Sequence, residues 1–194
     1  MLPFLFFSLF GVSTALEVSP DSPCGAKCID DPRTGNTSTT ADSSTAVEDL
    51  ACYDDQFLGT NTTQLGLKFA DCNNCLKSSG YRHAPSNERD IQWFLVNNRK
   101  MMDWCTFGRN DQESMSDFSS SVLARSCDSE CSPIRDAVDY RVNVYSDYYD
   151  FCDTVDNFTA KAQGCVDCLY KQDTTKIMGN GRYPLSSGRC SDET

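Results

Sequence analysis

Apolar residues recur at three- and four-residue intervals in the segment NERDIQWFLVNNRKMMDWC, which is the pattern of an amphipathic helix. The residues that share its apolar face are Ile91, Phe94, Leu95, Asn98, Met101, Met102 and Cys105. Residues 86–88 supply capping and acidic residues ahead of this run, as a helix start requires. The pattern therefore predicts a helix here, with Asp103 on its polar face.

A serine followed by a proline predicts two further helix starts. Ser132 would be the cap and Pro133 the first helical residue of a helix continuing towards residue 152. The alternation of residues around 140–149 also fits a strand. Ser22 and Pro23 repeat the same start ahead of Cys24.

The N-terminal residues 2–12 are almost wholly apolar, but eleven residues are too few to span a bilayer as a helix. Ser13 and Ala15 then supply the small residues that a signal peptidase accepts. We therefore expect a secretory signal peptide over residues 1–15. No other apolar run reaches the length of a membrane span, and the last residues resemble neither a lipid-anchor nor a retention signal. The expected location is secreted and extracellular.

The 12 cysteines fall into two sets with the same order. Each set reads C-x3-C, a single cysteine, C-x2-C and a final single cysteine, at positions 24, 28, 52, 72, 75 and 105 and at 127, 131, 152, 165, 168 and 190. A repeated order of this kind indicates a tandem duplication. We expect cysteine-rich module 1 over residues 16–108, a polar linker over 109–121 and cysteine-rich module 2 over 122–194.

Modules of this size bury a limited apolar core and commonly need covalent cross-links. An even set of six cysteines allows three disulfides in each module without a reactive thiol. Together with the helical patterns, this predicts a mainly α fold of two tandem small disulfide-stapled helical modules.

The spacing of the cysteines suggests how they pair. Residues three or four apart share a helix face, so each C-x3-C could meet a C-x2-C across an antiparallel helix pair. The hypothesis, one of fifteen connectivities per module, is Cys24–Cys75, Cys28–Cys72 and Cys52–Cys105, then Cys127–Cys168, Cys131–Cys165 and Cys152–Cys190.

The pairs Cys72/Cys75 and Cys165/Cys168 also have the spacing of thiol redox centres and zinc knuckles. A redox pair would begin a helix after a strand, whereas these lie inside segments with polar residues between the cysteines. An oxidising compartment and eight further cysteines in the same repeated order argue against zinc. We interpret the pairs as structural disulfides and assign no metal or cofactor.

The net charge of −11, from 28 acidic and 17 basic side chains, disfavours nucleic acid and anionic lipid as partners. Asn36, Asn61 and Asn157 each begin an N-glycosylation sequon. With the signal peptide, these sequons predict a glycoprotein.

Catalytic motifs are scarce in this sequence. His83 is the only histidine, and its neighbours suggest a solvated loop rather than a catalytic triad. There is no G-x-S-x-G elbow, phosphate loop, EF-hand loop or H-E-x-x-H motif. A hydrolase using two carboxylates stays open, because such pairs form only in three dimensions. We assign no catalytic residue.

The cysteine pattern resembles that of cysteine-rich secreted tandem-repeat proteins of filamentous ascomycete fungi. The residues that carry the resemblance are Cys24, Cys28, Cys52, Phe69, Cys72, Cys75, Leu76, the Trp93–Phe94–Leu95 helix and Cys105. The second half lacks an equivalent of the aromatic helix. These fungal proteins have no agreed enzymatic activity, so the resemblance implies location and architecture rather than chemistry.

These observations favour a secreted, disulfide-rich glycoprotein that binds an unknown protein or glycan at a cell wall or a host surface, as an effector would. Two alternatives are kept: a small secreted hydrolase using paired carboxylates, and a passive wall glycoprotein with no specific partner.

Overall fold

The computed structural model describes residues 16–29, 45, 49–57, 59–107, 126–138 and 155–171. Within these ranges the protein is mainly helical and has no β-strand, apart from an isolated antiparallel bridge. The helices are α1 (Gly25–Cys28), α2 (Gln64–Ser78), α3 (Asp90–Phe107), α4 (Asp128–Cys131), α5 (Arg135–Val138) and α6 (Phe158–Lys171). Two 3₁₀ turns span Asp54–Gln56 and Ser132–Ile134. None of these helices is long and apolar enough to cross a membrane.

The predicted signal peptide (residues 1–15) and linker (109–121) lie outside the described residues, as do Asn36, Cys152 and Cys190. The module boundaries therefore stay a prediction.

Local sequence explains the start and the buried face of α2. Thr63 is the N-cap, and its Oγ1 accepts a hydrogen bond from the Gly66 N–H at 3.0 Å, which satisfies one of the unpaired donors of the first turn. The buried side chains recur at helical spacing and are those of Phe69, Cys72, Asn73 and Leu76. The ring of Phe69 meets Phe57 edge to face, with centroids 5.8 Å apart.

Two disulfides join the one-turn helix α1 to the C-terminal half of α2. Cys24 bonds Cys75 and Cys28 bonds Cys72, with Cα–Cα distances of 5.7 and 4.8 Å. Cys24, the residue just before α1, pairs with the later cysteine of α2, and Cys28 at the end of α1 pairs with the earlier one, so the two helices run antiparallel. We call these two bonds the first staple. A third disulfide, Cys52–Cys105, ties the segment before α2 to the end of α3.

The same arrangement occurs between α4 and α6, and we call it the second staple. Cys127 bonds Cys168 and Cys131 bonds Cys165, with Cα–Cα distances of 5.8 and 4.5 Å. No cysteine among the described residues is free. These five bonds are five of the six pairs in the sequence hypothesis, and the sixth, Cys152–Cys190, lies outside the described residues.

The predicted helix start at Ser132 is displaced in the structure. The helix α4 already begins at Asp128, and residues 132–134 continue from it as a 3₁₀ turn with Pro133 in its first turn. Ser132 is therefore not an N-cap. The pairing of Cys131 with Cys165 holds the helical turn that precedes the proline, which the serine–proline pattern alone does not reveal.

Elements beside the first staple contact elements beside the second. The C-terminal end of α3 packs on α5, where the Arg135 guanidinium lies over the Phe107 ring, 5.2 Å from its centroid. The Tyr170 hydroxyl of α6 donates to an Asp54 carboxylate oxygen. Cation–π and charged hydrogen-bond contacts of this type fix the orientation of packed elements.

In α3 the predicted apolar face is confirmed, but the predicted polar face is largely buried as well. Of its 18 residues 14 are buried, including several charged and amide side chains: Asp90, Asn97, Asn98, Arg99, Lys100 and Asp103. The expectation that Asp103 lies on a solvated face is wrong, since its exposure is 0%. Distant parts of the chain contact several of these side chains, among them Asn97 and Lys100.

The main cover is the segment that begins at Leu16. The Asn97 carboxamide accepts from the Glu17 N–H at 3.1 Å and donates to the Glu17 carbonyl at 2.8 Å. The Thr45 hydroxyl donates to the same Asn97 oxygen at 3.2 Å, and Lys100 Nζ donates to the Thr45 carbonyl at 2.6 Å. Buried polar groups are tolerated when they are hydrogen-bonded, and these bonds satisfy that condition.

The glycine at position 66 allows α2 to approach the 3₁₀ turn at Asp54–Gln56. A Cβ on Gly66 would overlap the backbone carbonyl of Gln56. That carbonyl cannot easily move, because it accepts from the Thr63 N–H at 3.0 Å. The Gln56 side chain also accepts from the Cys52 N–H at 2.9 Å. In α6, by contrast, a Cβ on Gly164 would meet nothing within 4 Å.

We expect Gly66→Ala to lower the free energy of unfolding by about 3 kcal/mol, since the added methyl forces two fixed backbones apart. Gly164→Ala is the matched control and should raise it by up to about 1 kcal/mol, because alanine favours an open helical position. Urea unfolding with the disulfides intact measures both. Equal effects of the two substitutions would contradict the close approach of α2 to Gln56.

We expect Asn97→Asp to lower the free energy of unfolding by about 3 kcal/mol, because a buried carboxylate loses the donor to Glu17 and adds an uncompensated charge. The exposed Asn74 of α2 provides the control, and Asn74→Asp should change stability by less than about 0.5 kcal/mol. Urea unfolding measures both, and hydrogen exchange at the Glu17 amide should accelerate only in the Asn97 variant. Unchanged exchange there would show that Asn97 does not hold this segment.

Candidate functional site

The lone histidine, a buried carboxylate and several hydroxyl groups meet where residues 79–90 cross the segment 19–22. Asp90, the first residue of α3, has an exposure of 0%. Its Oδ2 accepts hydrogen bonds from the Ser22 hydroxyl at 2.8 Å and the Ser79 hydroxyl at 2.5 Å. This carboxylate therefore links the N-terminal segment, the end of α2 and the start of α3.

Tyr81 adds a second link to the same segment. Its hydroxyl donates to the Pro20 carbonyl at 2.9 Å, and its N–H donates to the Ser79 hydroxyl at 3.1 Å. Partial burial raises the pKa of Tyr81 above its ordinary value of 10.0, and the nearby carboxylates of Asp21 and Asp90 add to the rise because they oppose a phenolate.

Residues 82–89 form a tight hairpin between α2 and α3. The His83 N–H donates to the Glu88 carbonyl and the Asn87 N–H to the His83 carbonyl, both at 2.8 Å. Asn87 takes the left-handed backbone conformation, with φ of 64°, which asparagine adopts more readily than most residues. Arg82 and Arg89 face each other across the isolated antiparallel bridge.

The sequence expectation for His83, a solvated loop residue, needs correction. Its side chain is only 17% exposed, since the ring lies between Ser86 and the segment 19–22. Its Nδ1 is 2.7 Å from the Ser86 Oγ, and its Nε2 is 4.0 Å from an Asp21 carboxylate oxygen.

This arrangement includes a serine, a histidine and an aspartate, but its geometry is that of a local turn. Ser86 follows His83 by three residues in the same hairpin, and its backbone N–H also approaches the histidine Nδ1, at 3.4 Å. The Asp21 distance of 4.0 Å exceeds a hydrogen bond. A triad needs an orienting carboxylate hydrogen-bonded to the base, which Asp21 does not supply here.

The buried carboxylates of α3 also bear on the hydrolase alternative. Asp90 and Asp103 are both fully buried and 13 positions apart on the helix, which separates them by about 20 Å along its axis. Glycosidases hold their two carboxyl groups within about 10 Å of each other. Asp49, also buried, pairs instead with Lys68, whose Nζ is 3.5 Å from its Oδ1.

The structure describes two of the three predicted sequon asparagines. Asn61 and Asn157 are exposed, and each lies just ahead of a cysteine-bearing helix. Thr63, the third residue of one sequon, caps α2, while Phe158 of the other is buried. Asn36 lies outside the described residues.

No cluster of three or more potential metal ligands occurs in the described ranges. The chain matches no protein-family profile, and no curated protein or solved structure is significantly similar to it. Its function must therefore be argued from its own residues.

Sequence reasoning missed Asp90 and the arginine pair, although a signal for the hairpin was present. The segment YRHAPSNERD places a Pro-Ser-Asn turn between two short stretches, which is a hairpin pattern. Interpreting residues 86–88 as a helix cap concealed the second arm of the hairpin. The burial of Asp90 depends on Ser22, 68 positions away, which no local pattern reports.

The raised pKa of Tyr81 predicts a loss of stability in alkali. The folded state keeps the phenol protonated beyond its unfolded pKa, so this contribution is complete below pH 10 and is lost as the pH rises through the folded value. Tyr81→Phe should remove this alkaline decline in the free energy of unfolding. At neutral pH the same substitution should lower the free energy of unfolding by about 1 kcal/mol, because the hydrogen bond to Pro20 is lost. Urea unfolding at neutral and alkaline pH, with absorbance at 295 nm for phenolate, measures the difference. A difference titration with its midpoint at or below 10 would refute the assignment.

Proposed function

We propose that this protein is a secreted glycoprotein, cross-linked by disulfides, that binds a protein or glycan at a cell wall or a host surface. The observation that carries the proposal is the disulfide content, with five bonds in the described residues and no free cysteine there. Disulfides of this density persist in oxidising compartments such as the secretory pathway and the cell exterior.

One feature of the sequence and one of the structure support the secretory route. The apolar residues 2–12 followed by Ser13 and Ala15 fit a cleaved signal peptide. The exposed positions of Asn61 and Asn157 are compatible with attached glycans, since a glycan needs a surface asparagine.

Polar side chains that could serve in hydrolysis take part in structural contacts instead, which supports binding over hydrolysis. Asp90 holds two serine hydroxyls, Asp49 pairs with Lys68, and His83 stabilises its own hairpin. Each of these side chains has a structural partner, although the buried Asp90 Oδ1 accepts no hydrogen bond among the described residues. Loops held in this way present a fixed surface, which reduces the ordering cost of binding.

The repeated staples support two related proposals. The equal order and similar Cα–Cα distances of the two staples are expected if the modules arose by tandem duplication. The cysteine pattern supports a relationship to secreted fungal proteins of this architecture, and with it an effector-like role at a host surface.

The full chain should be expressed in a fungal secretory host and recovered from the medium. We expect an intact mass that shows cleavage after Ala15, attached glycan and no reactive thiols. The secreted protein should then bind isolated fungal cell walls or intact host cells saturably, and reduction with alkylation should abolish that binding because the folded surface is lost.

Three outcomes would refute parts of the proposal. Retention in the cell or reactive thiols at Cys72/Cys75 or Cys165/Cys168 would contradict a secreted, disulfide-stapled protein. Binding that does not saturate, or is equal for the reduced and alkylated form, would leave a passive wall glycoprotein. Release of soluble sugars or peptides from the target would indicate a hydrolase.

A further inference from the structure

The backbone hydrogen bonds around Arg82 and Arg89 define how close these residues lie. The His83 N–H donates to the Glu88 carbonyl at 2.8 Å, and the Asp90 N–H donates to the Tyr81 carbonyl at 3.4 Å. These bonds flank the bridge rather than joining the two arginines. The arginines therefore form the non-hydrogen-bonded type of antiparallel pair, whose Cα atoms lie about 4.5 Å apart with the side chains on one face.

The alternation of the hairpin separates charge between its two faces. Tyr81, His83, Glu88 and Asp90 are buried or half-buried and face the body of the protein, whereas Arg82 and Arg89 are exposed. Glu88 is further engaged on its own face, where its Oε2 accepts from the Trp93 indole N–H at 3.1 Å. The outward face of the hairpin thus carries two guanidinium groups and neither hairpin carboxylate.

Neither guanidinium has an ion-pair or hydrogen-bond partner among the described residues. Like charges directly opposite each other destabilise an antiparallel pair. This arrangement is unexpected in a chain of net charge −11, where carboxylates are abundant. An anion placed between the two groups would remove the repulsion and occupy their donors.

We infer that Arg82 and Arg89 form a binding site for a single phosphate or sulfate group, carried as a monoester on a carbohydrate. This inference rests on the proposed binding function and names the ligand chemistry for it. Each guanidinium offers parallel N–H donors that match two oxygens of such a group. The net charge of −11 opposes an extended polyanion, so a single compact anion fits best. The sugar is the carrier that the proposed glycan-binding function supplies.

The test uses the full secreted protein with mannose 6-phosphate and mannose 6-sulfate as probes, and neutral mannose as the control, at constant ionic strength. Titration should give saturable NMR shifts of the backbone amides of the non-proline residues in 81–90 for one or both charged sugars, and none for mannose. Arg82→Gln with Arg89→Gln should weaken binding at least about tenfold. Replacing both with lysine should weaken it about threefold, because the charge stays but the fork geometry is lost.

The matched control is Lys27→Gln with Lys171→Gln, which changes the net charge equally at two exposed positions outside the hairpin. Its binding should stay within about twofold of the parent. The arginine variant should also unfold at a higher temperature than the parent without ligand, since the repulsion is removed, and the charged sugar should raise the midpoint of the parent alone. A variant that merely lost a structural contact would unfold at a lower temperature.

Several outcomes would overturn the inference. Equal weakening in the lysine control would mean nonspecific attraction, and absent or non-saturating shifts with both charged sugars would mean no site. Binding only to phosphatidylcholine vesicles containing phosphatidic acid would assign the arginines to a membrane surface.

Failure of wall or host binding while the sugar titration succeeds would refute the proposed function alone, whereas wall binding unaffected by the arginine substitutions would refute the site alone.

Discussion

A helix of four residues, such as α1, has too few hydrogen bonds to persist in water, so its position depends on the first staple. The two bonds close segments with sequence separations of 51 and 44 residues, and each can restrict the unfolded chain by about 4 kcal/mol. With α1 fixed on α2, Ser22 is brought beside Asp90 and Pro20 beside Tyr81. The hairpin 82–89 is therefore held by a covalent constraint formed elsewhere in the fold.

The interior built on this constraint contains many polar and charged side chains. Residues of α3 that would be solvated on an isolated amphipathic helix instead bind backbone groups of Glu17 and Thr45. An amide such as Asn97 accepts and donates in fixed directions, so it selects one register of the covering segment, whereas a leucine would accept several. Buried polar groups can thus contribute specificity even where their net stabilisation is small.

The sequence predicts features that depend on residues close together in the chain, and it does not predict those that depend on residues far apart. The cysteines in C-x3-C and C-x2-C lie on helix faces set by local geometry, so their spacing suggests a nested pairing such as Cys28–Cys72 and Cys131–Cys165 as one of the fifteen connectivities per module. The apolar face of α3 could also be predicted, because it follows from the spacing of apolar residues within the helix itself. The hydrogen bonds of Asn97 and the position of His83 were not predictable, because Glu17 and Asp21, which they meet, are distant in sequence and helical periodicity carries no information about them.

The same difference between local and global properties governs what the surface can bind. At physiological ionic strength charges are screened beyond about 8 Å, so the net charge of −11 acts mainly as a weak repulsion towards large polyanions. At contact distance the nearest groups dominate, and on the outward face of the hairpin these are the guanidiniums of Arg82 and Arg89. An acidic protein can therefore attract one small anion while it repels a polymer of the same anion. Net charge disfavours classes of partner, whereas in the proposed anion site the pairing of Arg82 with Arg89 would determine which partner fits.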